Sequence, residues 1–143
     1  MPTIVLLDTN VWVSAFINPS GTPAQLRQAW HDGKYDVMVS PPLLGELADV
    51  LSRPQITKRY PINVADVEEL LDLLTQRGIF VSPTGAVKEC RDPDDDLILE
   101  TAILGKAQYA VTRDEDLINR LKTHDIVVLS VQQFKEKLDK DEL

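Results

Sequence analysis

The chain has 143 residues, a formal net charge of −8, and is 43% hydrophobic and 27% charged. That length holds a full core, and the acidic balance opposes general binding of polyanions, so any nucleic-acid contact has to use a local basic patch. One cysteine, Cys90, excludes an internal disulfide and fits a reducing compartment.

No apolar run approaches the length of a membrane span, and no basic stretch followed by an apolar one marks a signal peptide, so a cytoplasmic protein with no membrane partner is expected. The final Lys140-Asp141-Glu142-Leu143 spells an endoplasmic-reticulum retention signal. That address is read only inside the secretory pathway, and the tail continues the charged, helical Lys135–Asp139, so the match is read as coincidence.

Taken in order, short apolar runs alternate with amphipathic stretches. Ile4-Val5-Leu6-Leu7 is a continuous run of the kind found in strands buried on both faces. Asp8-Thr9-Asn10 follows, then Val11, Trp12, Ala15 and Phe16 at helical spacing. After a loop over 18–21, Thr22 before Pro23 predicts an N-cap and a proline at the first helical position, with Leu26 and Trp30 on the apolar face and Gly33 at the end. Val37-Met38-Val39 reads as a second strand. Ser40-Pro41 repeats the cap-then-proline signal for a helix carrying Leu43, Leu47 and Leu51, with Glu46 beside that stripe and Arg53-Pro54 as its stop. Residues 55–60 suggest one or two helical turns. Asn63 caps a long helix carrying Leu70 and Leu74, which Gly78 ends.

Ile79-Phe80-Val81 is a third strand, and 83–91 a loop. Asp92-Pro93-Asp94-Asp95-Asp96 then opens a helix containing Leu97, Ile98, Thr101 and Ala102. Tyr109-Ala110-Val111 is a fourth strand, followed by Thr112-Arg113-Asp114 and a short helix with Leu117 and Leu121. Ile126–Leu129 is a fifth strand, and Ser130 with Gln133 forms a capping box for the last helix. Strands alternating with helices predict an α/β protein, a single domain over 1–143 with a central parallel sheet of about five strands and helices on both faces.

Asp8 alone reads as a helix cap. Other acids, however, fall at equivalent topological positions: Asp114 after the fourth strand, the Asp92–Asp96 run before it, and Glu46 near the start of the helix after the second strand. Carboxyl ends of strands in open parallel sheets are where ligands bind. Clustered carboxylates repel one another and raise at least one pKa unless a cation is present. A set of hard oxygen donors without histidine or cysteine suits Mg²⁺ or Mn²⁺, and such sites serve phosphoryl or phosphodiester transfer. Asp94 and Asp96 read as solvated bystanders of that cluster. A receiver-type signalling domain would need a pair of acids after the first strand and a lysine after the last, where this chain has Asp8 alone and Ser130.

These stretches resemble the PIN-domain family, and within it the toxin components of bacterial toxin–antitoxin pairs, the VapC-like ribonucleases. The matching segments are Leu7–Val11, Val39–Leu47, Val50–Pro54, Arg91–Asp96 and Val111–Asp114. The resemblance implies a PIN-like three-layer α/β/α sandwich and a Mg²⁺- or Mn²⁺-dependent ribonuclease acting on RNA. It implies an antitoxin partner and a homodimer as well. Carried over residue by residue, it places the catalytic, metal-binding quartet on Asp8, Glu46, Asp95 and Asp114, with Asp92, as a supporting residue, and Asp96 as possible partners that share the Asp95 role. Thr9, Asn10 and Thr112 match positions that support the acids by hydrogen bonding. A non-catalytic RNA- or protein-binding module is the alternative, and the intact quartet weighs against it.

Arg113, between Thr112 and Asp114, is a candidate substrate contact, and Arg53 with Lys58 and Arg59 a candidate phosphate-binding rim. Cys90, beside the cluster, reads as packing, His31 and His124 as surface or helix-end residues, and Trp12 and Trp30 as core or interface.

Overall fold

A computed structural model describes residues 3–143. Strand β1 (Ile4–Leu7) leads through Asp8 into α1 (Thr9–Ile17), followed by α2 (Thr22–His31), β2 (Asp36–Val39), α3 (Pro41–Ser52), α4 (Pro54–Thr57), α5 (Val64–Arg77) and β3 (Ile79–Phe80). The second part runs α6 (Pro93–Leu104), β4 (Tyr109–Val111), α7 (Glu115–Thr123), β5 (Val127–Leu129) and α8 (Val131–Asp139). The strands form one sheet, ordered β3-β2-β1-β4-β5, with every pairing parallel.

Side-chain alternation divides the core into two layers. Val5, Leu7, Val37, Val39 and Val111 face α1, α2, α3, α5 and α8, while Leu6, Met38 and Ala110 face α6 and α7. Strands covered on both sides are continuously apolar for this reason. The product is the three-layer α/β/α sandwich that the sequence predicted. Trp12 and Trp30 resolve to core: they pack edge-to-face with centroids 5.4 Å apart, both nearly inaccessible. Arg77 lies over the Trp30 ring and donates to the Trp30 and His31 carbonyls, closing the last turn of α2.

Local signals set most boundaries. Ser40, Asn63 and Ser130 cap α3, α5 and α8 as expected, and Ser130 and Gln133 form the full capping box. Gly78 ends α5 because of close approach, not backbone angle: a Cβ there would sit 2.8 Å from Val39 and 2.5 Å from the Leu74 carbonyl. Two expectations shift. Gly21 is the N-cap of α2, without a side-chain bond, so Thr22 is the first helical residue and Pro23 the second. The terminal Lys140–Leu143 does not extend α8, which ends at Asp139; Asp141 adopts a positive φ of 56° in the turn that follows.

The strand order has a direct consequence for the site. From β1 the chain moves outward to β2 and β3 on one side, then crosses to β4 and β5 on the other. The crevice beyond the carboxyl ends of β1 and β4 is therefore the point where the winding reverses, the usual ligand position in doubly wound sheets. Asp8 and Asp114 follow those two strands.

Candidate active site

Asp8 is fixed by the sheet register. Leu7 pairs with Val111, and the Asp8 N–H donates to the Val111 carbonyl at 3.1 Å, so the residues after the two strands lie side by side. Thr112 Oγ1 donates to Asp8 Oδ2 at 2.7 Å and accepts from the Asp114 N–H at 3.2 Å. Asp8 Oδ1 accepts the Thr9 N–H at 2.7 Å, as an N-cap does. Asp114 caps α7 in turn, its Oδ1 accepting from Leu117 N–H at 2.9 Å. Asp92 caps α6 through the Asp94 N–H. Both oxygens of Asp8 thus accept a hydrogen bond, whereas the caps of Asp92 and Asp114 each use one carboxylate oxygen.

The charges of these side chains act on one another. Burial first, and the Asp114 carboxylate as well, push the Asp8 pKa upward against the two hydrogen bonds that lower it. Partial desolvation and then Asp8 raise Glu46, although Glu46 still reaches water; Asp94 and Asp92 add to the rise. Asp95 is raised to about 6 by desolvation, then by Asp114, Asp92, Asp8 and Glu46. The fold therefore gathers Asp8, Glu46, Asp95 and Asp114 into one repulsive cluster, with Asp92 at its margin. The helices bearing Glu46 and Asp95 are joined beneath it, where the buried hydroxyls of Ser40 and Thr101 share a 3.0 Å hydrogen bond.

Among the described residues, no three acidic, histidine or cysteine side chains converge tightly enough to chelate an ion as they stand. The donor set nevertheless fits a hard divalent cation: it is all oxygen, and three of its members carry raised pKa values that a cation would relieve. The Thr9 hydroxyl agrees with this. It is buried and lacks a well-formed hydrogen bond, yet it lies close enough to Glu46 to offset part of that residue's rise.

The other expected supports divide. Thr112 bonds Asp8 as anticipated, whereas Asn10 is exposed and makes no side-chain hydrogen bond among the described residues. Arg113 is exposed beside Asp114. Arg53 lies at the far end of α3 from Ser40 and pairs with the exposed Asp49 at 2.7 Å, one helical turn back. Cys90 is packed against the lower core, and burial followed by the adjacent Asp96 pushes its thiol up to about 12, an unreactive group. His124 is held by Glu89 at 3.0 Å.

Asp96 is not a solvated bystander. Its Oδ1 accepts the Glu89 and Cys90 N–H groups at 2.9 and 2.7 Å, which hold its pKa below the usual carboxylate range. The sequence reading missed its companion altogether. Glu100, one turn later and equally buried, accepts the Thr84 N–H, the Thr84 hydroxyl and the Gly85 N–H, and its pKa is lowered accordingly. These two acids strap the 83–91 loop to α6. A glutamate inside Ile98-Leu99-Glu100-Thr101-Ala102, a helix stretch apolar on every side, was the available signal: a buried charge there needs dedicated partners.

Comparison with known proteins follows the same outline. A model of the PIN domain matches residues 4–116, a span that includes Asp8, Glu46, Asp95 and Asp114 and stops before β5. An uncharacterised protein of Methanocaldococcus jannaschii is 31% identical over 115 residues, which cover 80% of this chain and 73% of that protein. Among solved structures, the chain resembles VapBC2 from Rickettsia felis, determined bound to a DNA fragment from their promoter. The TM-score is 0.57 at 17% identity, over 90% of this chain and 98% of that one, a likeness of fold.

Proposed function

The chain belongs to the PIN domain family, and we propose that it is a Mg²⁺- or Mn²⁺-dependent endoribonuclease, the toxin component of a toxin–antitoxin pair. The observation that carries this reading is the cluster of Asp8, Glu46, Asp95 and Asp114 at the β1/β4 crevice, where three carboxylates are raised by burial and by each other. Asp8, Glu46, Asp95 and Asp114 would hold the cation. When bound, it supplies positive charge at the phosphodiester and lowers the pKa of an attacking water.

The chain's own residues set the conditions for this. Thr112 keeps one oxygen of Asp8 oriented and favours its ionised form, while the capping bonds hold one oxygen each of Asp8 and Asp114. Asp95 at about 6 still carries part of its proton near neutrality, so cation binding displaces that proton. Asp92 and Asp96 hold the start of α6 and the loop before it, which fixes where Asp95 stands.

Among the described residues no helix is long and apolar enough to cross a membrane, and a cytoplasmic RNA substrate is part of the proposal. So are an antitoxin, as the VapBC2 neighbour suggests, and a homodimer. A labelled RNA incubated with purified chain and Mg²⁺ or Mn²⁺ tests the activity: wild type should cleave, and Asp8→Asn and Asp95→Asn should not. Metal-independent or absent cleavage would leave the alternative, a non-catalytic RNA- or protein-binding module. Growth arrest on expression of the chain alone, abolished by Asp8→Asn, tests the toxin assignment; harmless expression of an enzyme active in vitro would refute it.

A further inference from the structure

The chain contains seven arginines, and five of them have a partner. Arg27, Arg59 and Arg77 lie over the rings of Phe16, Tyr60 and Trp30. Arg53 pairs with Asp49 and Arg120 with Asp116. Arg91 and Arg113 are exposed, and among the described residues the guanidinium of neither takes part in an ion pair, a hydrogen bond or a ring contact. Both stand in corresponding places: Arg91 directly precedes Asp92, the cap of α6, and Arg113 directly precedes Asp114, the cap of α7.

The two turns are also fastened together. The Arg91 N–H donates to Asp116 Oδ2 at 2.9 Å, and Asp116 is in the first turn of α7, three residues after Arg113. Around these turns stand Asp92, Asp94, Asp95, Asp114, Glu115 and Asp116. Two guanidinium groups thus stand unpaired among six carboxylates of the neighbouring sequence, free to meet an anion that comes from outside. In a chain of net charge −8, a polyanion approaching the acidic cluster needs local cations at this edge.

We propose that Arg91 and Arg113 together bind a backbone phosphate of the substrate strand beside the carboxylate cluster. The proposal rests on the nuclease reading above and adds to it the place where the strand is gripped. A guanidinium fork matches phosphate oxygens in two parallel hydrogen bonds, and the bond from the Arg91 N–H to Asp116 keeps the turns that carry the two arginines side by side.

The test is binding, measured apart from cleavage. The Asp8→Asn chain carrying Arg91→Ala, Arg113→Ala, both, or the control Lys122→Ala is titrated by fluorescence anisotropy with a labelled 12-nucleotide single-stranded RNA over a series of salt concentrations. Lys122 is an exposed cation in the last turn of α7, at the opposite end from Arg113. Each arginine substitution is expected to weaken binding roughly threefold to tenfold and to make the log–log salt slope shallower by about 0.7 for a single strand. Lys122→Ala is expected to leave both as they are. Equal behaviour of the arginine variants and the Lys122 control overturns the proposal, as does a chain that binds no RNA in any form. A wild type that fails to cleave while the arginine-dependent salt slope persists would refute the nuclease reading and keep the phosphate site.

Discussion

Thr112 and Asp8, 104 residues apart in the chain, are joined by a hydrogen bond of 2.7 Å. The same Thr112 oxygen accepts the Asp114 N–H, so one hydroxyl sits between two of the four acids and is oriented by the second while serving the first. Thr112→Val removes the donor at nearly constant volume. Asp8 then keeps its burial and loses a bond to its charged form, which costs on the order of 1.5–3 kcal/mol of charge stabilisation. The expected result is a further rise in the Asp8 pKa and weaker Mn²⁺ binding by calorimetry at pH 7, with Thr112→Ser close to wild type. Equal Mn²⁺ affinity in all three chains would show that Thr112 does not tune Asp8.

Divalent cations should stabilise the fold. At one hundred times its dissociation constant a ligand that binds only the native state adds about 2.7 kcal/mol, a rise of several degrees in melting temperature for a chain of this size. Asp8→Asn should match or exceed wild type in stability without metal, since it removes one of the mutually repelling charges, and should lose most of the metal response. Differential scanning fluorimetry with Mg²⁺, Mn²⁺ and EDTA decides the matter; an undiminished response in Asp8→Asn would take that residue out of the site.

The pH dependence without metal has a defined sign. Asp95 has its folded pKa raised from 3.8 to about 6, so between those values the native state binds the extra proton. Stability therefore rises as pH falls from 7 toward 5. Because Asp95 is substantially exposed, the gain is discounted for screening to about 1 kcal/mol. Asp96 and Glu100, with lowered values, act oppositely: their contribution is lost as pH falls through and below the ordinary carboxylate range. Thermal melts in EDTA should thus show a maximum on the mildly acidic side, and Asp95→Asn should flatten the limb between pH 7 and 5. A wild-type melting temperature that falls steadily from pH 7 downward would contradict this account.

Adjacent aspartates should fail in different ways. Asp95→Asn is expected to fold normally and lose its metal response and cleavage. Asp96→Ala leaves the Glu89 and Cys90 N–H groups without their acceptor, so it should lower the melting temperature with or without metal. Asp96→Asn, which can still offer Oδ1 to both N–H groups, should be the milder change. Asp96→Ala as stable as wild type would disprove the strap.

Glu100→Ala should release the same loop at its other end. Amide exchange at Thr84 and Gly85 is expected to quicken, and limited proteolysis to cut within 83–91, while α2 and α8 on the far layer keep their protection. Unchanged exchange at those two amides would assign the loop's order to something other than Glu100.

The sequence makes the element order legible because its signals are local: apolar runs for buried strands, serine and asparagine caps, prolines at helix starts. It does not reveal the strand order, since the partners of β1 are chosen by packing across residues far apart in the chain. The acids were visible as a set for the same local reason, each standing at a strand end or helix start. What Asp96 does was hidden because its partners are backbone N–H groups of a loop, which leave no mark in side-chain identity. The pairing of Arg53 with Asp49 one turn back is the opposite case, since an i,i+4 pair of opposite charges is legible from spacing alone.

The hydrogen bond between Ser40 and Thr101 carries a consequence for how such a site can change over time. Ser40 begins the helix that brings Glu46, and Thr101 lies within the helix that brings Asp95; the two meet where Leu43 packs with Ile98, Leu99 and Ala102. Their rivet is fully buried, out of contact with anything bound at the surface. Side chains of other sizes at these two positions are expected to change how α3 and α6 sit against each other, and with them Glu46 and Asp95, without replacing a single carboxylate. Change in the site's shape is therefore open to two hydroxyls that lie outside the carboxylate cluster.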